Sequence, residues 1–330
     1  MKIGKVSAAR LEKTVLNKIS HHRKDILVNS GVGEDSAVVD FGDEVLAISS
    51  DPITGAGQNA GYLAVHVACN DLAAAGASPI GIQVVLLLPP ETTDEMISSL
   101  MTEINETACS LDVQVLGGHT EVLSEVSKAI IVITAIGRAD KEKYVATGGA
   151  KAGDEILLTK GVGLEGAMIL AGDYGKHLLE QGVSPQAIKE ALDYQHELSV
   201  LPEGLLAASH GVNSLHDITE GGLYGAIKEV ARAADCGFHL MPSAEIVRPA
   251  VAEICSKLDL NPLALISSGS MLITLPEAEA LQDKLEKIGI KSFKVGRIIA
   301  EKKNLITIDD EIKDFDWDGE DELWNFLEYI

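Results

Sequence analysis

The sequence has few aromatic and few basic residues, and each shortage limits what the protein can be. Aromatic residues make up 4% of the 330 positions, although apolar residues make up 46%, so Ala, Val, Leu and Ile must fill most of the interior. The formal charge of −23 argues against a general nucleic-acid-binding surface, because phosphate binding requires clustered Lys and Arg. A single nucleotide is not excluded, because a metal ion and backbone N–H groups can hold it.

Cysteine is scarce as well, and long apolar runs are missing. No C-x-x-C pair occurs, so we expect buried, reduced thiols rather than disulfides. The four cysteines are Cys69, Cys109, Cys236 and Cys255. The N-terminal residues contain no apolar signal core, and no run approaches about 18 uninterrupted apolar residues. These absences predict a cytoplasmic protein without a membrane span.

A Walker-type phosphate loop is also absent, because no G-x-x-x-x-G-K-[ST] sequence occurs. Gly161-Val-Gly-Leu-Glu-Gly166 does match G-x-G-x-x-G after a predicted strand, as in a dinucleotide-binding oxidoreductase. The segment about 20 residues later, however, is polar and lacks the acid that ends the next strand of such folds. We therefore expect a tight strand–helix turn here and no NAD binding.

The hydrophobic pattern predicts two α+β domains, residues 1–145 and 146–330, since the chain is long for a single core. In the first domain we predict helices at 8–19, 60–76 and 93–111, the last capped by Thr92 or Thr93. We predict strands at 36–41, 44–49, 81–88, 113–116 and 129–136, the first two joined as a hairpin through Gly42-Asp43. In the second we predict strands at 155–159, 270–275 and 291–299 and helices at 163–171, 185–191, 197–208, 221–234 and 277–288. The acidic segment 314–324 is expected to pack against its domain rather than to form a site.

The most informative local feature is Asn70-Asp71, which lies in the small, apolar run 65–79. A carboxylate in such a helix is costly to bury unless it is paired, hydrogen-bonded or bound to a metal. Two further acids, Asp35 and Asp51, follow a glycine-rich turn and a predicted strand. Each of these two has a mundane explanation as a turn or cap residue. The three acids together fit Mg²⁺, which prefers carboxylates and bridges to phosphates, so metal-assisted ATP chemistry is the most specific interpretation.

Two glycine-rich segments offer further candidate site residues. Gly117-Gly118-His119-Thr120-Glu121 follows a predicted strand, and paired glycines would let the backbone approach a ligand closely. His119 could equally be a structural histidine. His216-Asp217-Ile-Thr219-Glu-Gly221-Gly222 precedes a predicted helix. Asp217 or Thr219 could simply be the N-cap of that helix, or the helix N-terminus could hold an anion.

The order of these motifs resembles a known superfamily. It contains aminoimidazole ribonucleotide synthase, thiamine-monophosphate kinase, selenophosphate synthetase and the hydrogenase maturation factor HypE, and the chain is most similar to HypE-like proteins. The similarity extends from about residue 31 to residue 297. The matching segments are Gly33-Glu-Asp35, Ser50-Asp51, Asn70-Asp71-Leu72 with Gly76-Ala-Ser-Pro79, Gly117-Gly118-x-Thr120 and Asp217-Ile-Thr219-x-Gly221-Gly222.

This resemblance implies a two-domain α+β fold. An N-terminal half-barrel α/β domain would dimerise, and a C-terminal α+β domain would complete an ATP cleft near the dimer interface. Asp35, Asp51 and Asp71 would then bind Mg²⁺ and the ATP phosphates. The implied nucleotide-binding residues are Asn70, Gly117, Gly118, Thr120, Thr219 and Gly221. Gly4-Lys5 would be a thin version of the Gly-rich segment that covers ATP in some members.

The residues implied to act on the substrate are Asp217 and His119, which would position substrate or phosphate. His119 stands where relatives carry an acid, so the metal shell could be altered, or Glu121 could substitute as a metal ligand. HypE acts on its own C-terminal cysteine, whereas the last cysteine here is Cys255. This difference argues against self-modification of the HypE kind. Selenophosphate synthetase is disfavoured because no cysteine lies near the N-terminus.

We therefore expect a homodimeric, Mg²⁺- and ATP-dependent enzyme, synthase- or kinase-like, that activates or phosphorylates an oxygen atom of its substrate. The substrate could be a small molecule or a partner protein. The alternative is a nucleotide-binding hydrogenase-maturation or scaffold protein without turnover of its own. Tight ATP binding without ADP formation would favour this alternative.

Overall fold

The structure is a computed structural model that describes residues 6–21, 23–54, 59–317 and 319–329. The chain forms two mixed α/β domains, each built on its own β-sheet. The first sheet ends at Asp140 and the second begins at Glu155. The boundary predicted between residues 145 and 146 falls in this connection and remains a prediction. Gly4-Lys5 lies outside the described residues.

The first domain is built on six strands. They are β1 (Ile26–Val28), β2 (Ala37–Asp40), β3 (Glu44–Ile53), β4 (Ser78–Leu88), β5 (Gln114–Val122) and β6 (Ile130–Asp140). Their order in the sheet is β1-β2-β3-β6-β4-β5, and neighbours are antiparallel except for β4 and β5. The predicted hairpin of β2 and β3 is present, with Gly42 at a φ of 90° in its turn, which glycine adopts without strain.

The helices of the first domain are α1 (Ala8–Thr14), α2 (Ala60–Ala74) and α3 (Asp94–Ser110). On one side α2 packs against β3, β4 and β6, and on the other it contacts the second domain. Its side chains are therefore buried nearly all round, as expected of an apolar helix between two layers. α3 begins after Thr93, whose hydroxyl accepts a hydrogen bond from the N–H of Met96, so the predicted N-cap is present.

The face of the first sheet that points away from α2 is only half-buried. Along β6, Ile131 and Ile133 are buried, whereas the alternate residues Val132 and Ile136 are partly exposed. Val85 of β4 is paired with Val132 and is likewise partly exposed. We call this surface, which includes Val85, Val132 and Ile136, the open face. The sheet is not closed into a barrel, in keeping with the predicted half barrel.

The second domain is built on seven strands. They are β7 (Glu155–Thr159), β8 (Ser214–Ile218), β9 (Gly237–Leu240), β10 (Ser270–Leu275), β11 (Ser292–Ile299), β12 (Asn304–Ile308) and β13 (Glu311–Asp314). Their order is β13-β12-β9-β11-β7-β10-β8. Only β9 and β12 pair in parallel among them.

Helices flank this second sheet. They are α4 (Leu164–Glu180), α5 (Pro185–Asp193), α6 (Leu201–His210), α7 (Gly222–Ala233), α8 (Pro249–Leu258), α9 (Glu279–Lys287) and α10 (Glu322–Tyr329). One buried cluster crosses the domain boundary, because Leu72 of α2 belongs to the same cluster as Leu215 and Met271 of the second sheet. In the described part of the chain, no helix is long and apolar enough to cross a membrane.

The α+β class and the two-domain architecture predicted from the sequence are confirmed, but some elements differ. The strand predicted at 113–116 continues as β5 to Val122, because it pairs with β4 along its whole length. α4 continues to Glu180, beyond the predicted end at 171, and α8 and α10 were not predicted. α10 makes the acidic segment a packed element, since Leu323 and Phe326 are buried.

Candidate active site

A cavity of about 290 Å³ lies between the two domains and is lined by acidic and small residues. Four aspartates line it, Asp35, Asp51, Asp71 and Asp217, together with the carboxylates of Glu34 and Glu229, and Thr219 lies beside them. Five residues predicted from the sequence therefore share one cavity. A larger groove of about 1000 Å³ runs along α3, but it is an open helix surface without such a concentration of buried carboxylates.

The local structure explains why the four acids converge. Ser49 and Asp51 are two residues apart on β3 and therefore point to the same side of the sheet. That side carries α2, which brings Asp71 to the cavity. Asp35 reaches it from the turn before β2, and Asp217 from the end of β8. Asp217 is thus a strand residue and not the N-cap of α7, a position that Gly221 occupies.

Asp71 is held by β3 and surrounded by negative charge. The hydroxyl of Ser49 donates a hydrogen bond to the Asp71 carboxylate and lies 3.3 Å from that of Asp51. Burial, followed by the charges of Asp217, Asp51 and Asp35, raises the pKa of Asp71 well above its ordinary value. A cation in the cavity would stabilise the ionised carboxylate of Asp71 and so oppose this rise in pKa.

The pKa of Asp217 is raised for similar reasons. Burial is the main cause that raises its pKa to about 7, and the charge of Asp35 adds to it, although His216 acts in the opposite direction. The Oδ2 atom of Asp217 is buried and has no hydrogen-bond partner. A buried, unpaired carboxylate oxygen requires an explanation, such as an ion.

Asp35 is bound by residues of the second domain. The Nδ1 atom of His216 lies 2.7 Å from Asp35 Oδ1, and the hydroxyl of Thr147 donates to Oδ2 at 3.1 Å. The Nε2 atom of His216 lies 3.1 Å from Glu229 Oε2. Burial opposes protonation of His216, but Asp35 and Glu229 outweigh it and raise the pKa of His216 well above its ordinary value. The imidazolium can then donate to both carboxylates.

The turn that carries Asp35 is docked closely on the second domain. The carboxylate of Glu34 accepts hydrogen bonds from the N–H groups of Thr147 at 3.2 Å and Gly148 at 3.0 Å. A Cβ atom added to Gly33 would lie 2.7 Å from the carbonyl oxygen of Glu229. Glycine at this position therefore permits the approach to α7, and the cavity depends on both domains.

Sequence reasoning did not assign a role to His216, Glu229 or Ser49. His216 was visible as the neighbour of Asp217, but nothing local showed that its ring would face two acids. Glu229 lies within α7, and an acidic residue in a helix is normally interpreted as a solvent-exposed surface residue. Tertiary contacts alone reveal these residues.

Asn70 lies outside the cavity, although it is the sequence neighbour of Asp71. Its side-chain amide donates to the carbonyl oxygen of Leu198 at 2.8 Å and accepts from the N–H of Val200 at 2.9 Å. Because both polar atoms of the buried amide are used in this way, Asn70 joins α2 to the second domain.

Gly221, a predicted nucleotide contact, is bound by the chain itself. Its N–H donates to the carboxylate of Asp321, which also accepts from the N–H of Leu323 at 2.8 Å. The ring of Trp317 lies so close that a Cβ on Gly221 would be 2.6 Å from it. The N-terminus of α7, an expected anion site, thus holds a carboxylate of the same chain.

The third group of predicted residues lies on β5, at the far edge of the first sheet. Gly117, Gly118, His119, Thr120 and Glu121 are all exposed there. Strands β6 and β4 separate β5 from β3, so the distance from β5 to the strand of Asp51 is about 14 Å. His119 lies 3.4 Å from Glu121 and pairs with Val85, so both are on the open face.

The donor set of the cavity fits a hard cation. Mg²⁺ binds through one or two carboxylates and keeps several waters, and carboxylate oxygens are the donors present here. The orphaned Asp217 oxygen and the raised pKa values of Asp71 and Asp217 are the features that a bound cation would relieve. Among the described residues no three His, Cys, Asp or Glu side chains are already gathered as a metal-ligand group, so retained waters would have to complete the shell.

The chain matches two family models across most of its length. Residues 33–139 match the N-terminal domain of AIR synthase related protein, and residues 151–309 match its C-terminal domain. Among curated proteins, one named as a hydrogenase expression/formation protein of Methanocaldococcus jannaschii is 28% identical over 289 residues, which is 84% of this chain and 82% of that protein. Carbamoyl dehydratase HypE of Rhodobacter capsulatus is 27% identical over 256 residues, 76% of this chain and 73% of that protein.

Solved structures show the same fold. The structure of Escherichia coli HypE, a hydrogenase maturation protein, superposes with a TM-score of 0.72 at 25% identity, covering 84% of this chain and 87% of that one. A HypE in complex with ATP superposes with a TM-score of 0.68 at 20% identity, covering 98% of both chains.

Proposed function

This chain is a member of the AIR synthase related protein family, and we propose that it is a Mg²⁺- and ATP-dependent enzyme, synthase- or kinase-like, that activates or phosphorylates an oxygen atom of its substrate. The observation that carries the proposal is the group of four carboxylates, Asp35, Asp51, Asp71 and Asp217, around one cavity between the domains. A metal ion bound there would neutralise phosphate charge during transfer.

The proposal gives each acid a role in binding or positioning. Asp35, Asp51 and Asp71 would hold Mg²⁺, because they reach the cavity from separate elements and repel one another without a cation. Asp217 would position the reacting phosphate or the acceptor, because its buried Oδ2 atom has no hydrogen-bond partner within the described residues. Thr219, in the same cavity, would contact the phosphates.

ATP as the nucleotide is supported by the HypE of the same fold that was solved with ATP. The cavity of about 290 Å³ is at the lower limit for a small-ligand site, so it would hold the metal and phosphates while the nucleoside extends beyond it. The exposed residues Gly117 to Glu121 on β5 could reach that nucleoside only if a second copy of the chain brought them there. We therefore include a homodimer, formed through the open face, in the proposal.

The relatives suggest a role in hydrogenase maturation, since they are named as a hydrogenase expression/formation protein and as carbamoyl dehydratase HypE. We propose a reaction of that class, activation of a carbonyl or amide oxygen by ATP. The thiol of Cys255 is not a suitable acceptor, because it is buried in α8 and its pKa is raised to about 12 by burial.

Calorimetry tests the binding part of this proposal. The wild type should bind a nonhydrolysable ATP analogue in the presence of Mg²⁺, and Asp71→Asn should lose metal-dependent binding while it keeps its oligomeric state. Absence of analogue binding by the wild type would overturn the proposal. Single-turnover assays with candidate acceptors then test chemistry, because tight ATP binding with no ADP or AMP formed would favour a scaffold protein without turnover.

A further inference from the structure

Asp35 belongs to the first domain by its position in the chain and to the second domain by its hydrogen bonds. Its carboxylate faces the second domain: His216 Nδ1 lies 2.7 Å from Oδ1 and 2.9 Å from Oδ2, and the hydroxyl of Thr147 donates to Oδ2 at 3.1 Å. A carboxylate so placed has one orientation, and that orientation depends on the side chains that it meets across the domain boundary.

The ring of His216 is itself fixed at both ends. Its side chain is 4% exposed, and its second nitrogen lies 3.1 Å from the carboxylate of Glu229 on α7. These contacts therefore link three side chains in series, those of Asp35, His216 and Glu229. With both nitrogens engaged, the ring cannot rotate without breaking a hydrogen bond to a carboxylate.

We propose that His216 is a positioning residue for Asp35, which it holds in the orientation needed to bind the cation, and that Glu229 holds His216 in turn. The proposal rests on the proposed function, because it assumes that Asp35 is a metal ligand. Side chains that hydrogen-bond to a metal ligand and fix its orientation are known to affect metal affinity strongly. Here they belong to the other domain, so metal binding and the docking of the two domains depend on each other.

The two effects that His216 could have on the metal are opposite in sign. If the ring acted only through its positive charge, its removal would make the cavity more negative and the cation would bind more tightly. If it positions Asp35, its removal lets the carboxylate turn away, and the cation binds more weakly. The direction of the change in affinity therefore separates a positioning role from a purely electrostatic one.

The experiment uses the full chain without nucleotide. It measures binding of Mn²⁺ by the electron paramagnetic resonance signal of the ion, with Mg²⁺ as the competitor. His216→Ala removes the ring, whereas His216→Asn keeps a donor close to the place of Nδ1. We expect about tenfold weaker binding for His216→Ala and at least partial recovery for His216→Asn. His239→Ala is the matched control, because His239 bonds Thr307 at 2.8 Å in the same domain and should leave the affinity unchanged.

Glu229 provides a second test that does not depend on the stability of the His216 variants, since its side chain is 23% exposed on α7. Glu229→Gln and Glu229→Ala remove the same charge, but only Gln keeps an acceptor for the ring. We expect Glu229→Ala to bind Mn²⁺ several-fold more weakly than Glu229→Gln under conditions in which both variants are fully folded in EDTA. A merely structural role would change the unfolding midpoints alone and leave the two affinities equal.

The results distinguish the positioning role from the proposed function. If the wild type binds neither Mn²⁺ nor Mg²⁺, the proposed function fails and the positioning role fails with it. If the wild type binds the metal and Asp71→Asn does not, the function stands. Equal or tighter binding by His216→Ala, or equal binding by the two Glu229 variants, then overturns the positioning role alone.

Discussion

The backbone N–H of Gly221 donates a hydrogen bond to the carboxylate of Asp321, 100 residues further along the chain. The contact fixes the segment before α10 on the N-terminus of α7. Its carboxylate satisfies an N–H group that the helix itself cannot pair, and the negative charge is favourable at that end of the helix. The contact also occupies a backbone donor that the sequence had suggested for phosphate.

Asp321→Asn should change how stability depends on pH. Burial raises the pKa of Asp321 to about 7, against about 3.9 in an unfolded chain. Between these values the folded state binds more protons, so this group makes the wild type less stable as pH rises from 4 to 7. Relative to the wild type, Asp321→Asn should gain up to about 4 kcal/mol over that range.

Urea unfolding of both proteins at several pH values measures this difference. The buried acids of the cavity contribute equally to the two proteins and cancel in the comparison. A difference in unfolding free energy that does not change with pH would show that Asp321 titrates normally.

Asn70→Ala should destabilise the protein without weakening metal binding. The substitution leaves the carbonyl of Leu198 and the N–H of Val200 buried without their partner, which should cost about 2–4 kcal/mol. Denaturant unfolding gives the cost, and Mn²⁺ titration of the folded variant gives the affinity. A large loss of metal affinity with normal stability would assign Asn70 to the ligand instead.

Asp71→Asn should separate metal binding from folding. Because burial and like charges raise the pKa of Asp71, its neutral replacement should leave the melting temperature in EDTA equal or higher. The wild type should gain about 2.7 kcal/mol at a Mg²⁺ concentration one hundred times Kd, and the variant should gain nothing. Asp283→Asn removes the same charge from exposed α9 and should respond as the wild type does; an equal Mg²⁺ response in Asp71→Asn would contradict its role.

Val132→Lys should convert the proposed dimer to a monomer. Val132 is partly exposed at the centre of the open face, where a buried lysine ammonium would be costly. Light scattering should give 34.9 kDa for the variant and about twice that for the wild type. Ile312→Lys on β13, where Ile312 is 64% exposed, is the control and should stay dimeric. A monomeric wild type would remove the dimer from the proposal.

Gly118→Ala should be much more damaging than Gly117→Ala. Both residues have positive φ values, 151° and 146°, so both substitutions are strained. A Cβ on Gly118 would lie 1.7 Å from the carbonyl oxygen of Val84, whereas a Cβ on Gly117 meets no atom within 4 Å. We expect a difference of about 2 kcal/mol or more in the free energy of unfolding. Equal costs would mean that β5 can shift away from β4.

Local sequence and composition determined much of this protein. Alternating and helical hydrophobic patterns predicted the β2–β3 hairpin, α2, α3 and β10, and the order of motifs identified the family. Asp71 could be selected because an acid inside an apolar helix is costly to bury, and Asp35, Asp51 and Asp217 because each belongs to a short motif that carries the family resemblance. Such patterns extend over a few neighbouring residues and can therefore be recognised in the sequence alone.

The tertiary structure decided which of the candidates meet. Asn70 and Asp71 are adjacent in sequence, yet on α2 one side chain joins the second domain and the other faces the cavity. The contacts of His216 with Asp35 and Glu229 exist only because β8, α7 and the turn before β2 pack together. The N–H of Gly221 bonds Asp321, which no local pattern connects with it. Hydrogen bonds between distant segments depend on how the sheets pack, and that packing is a property of the whole fold.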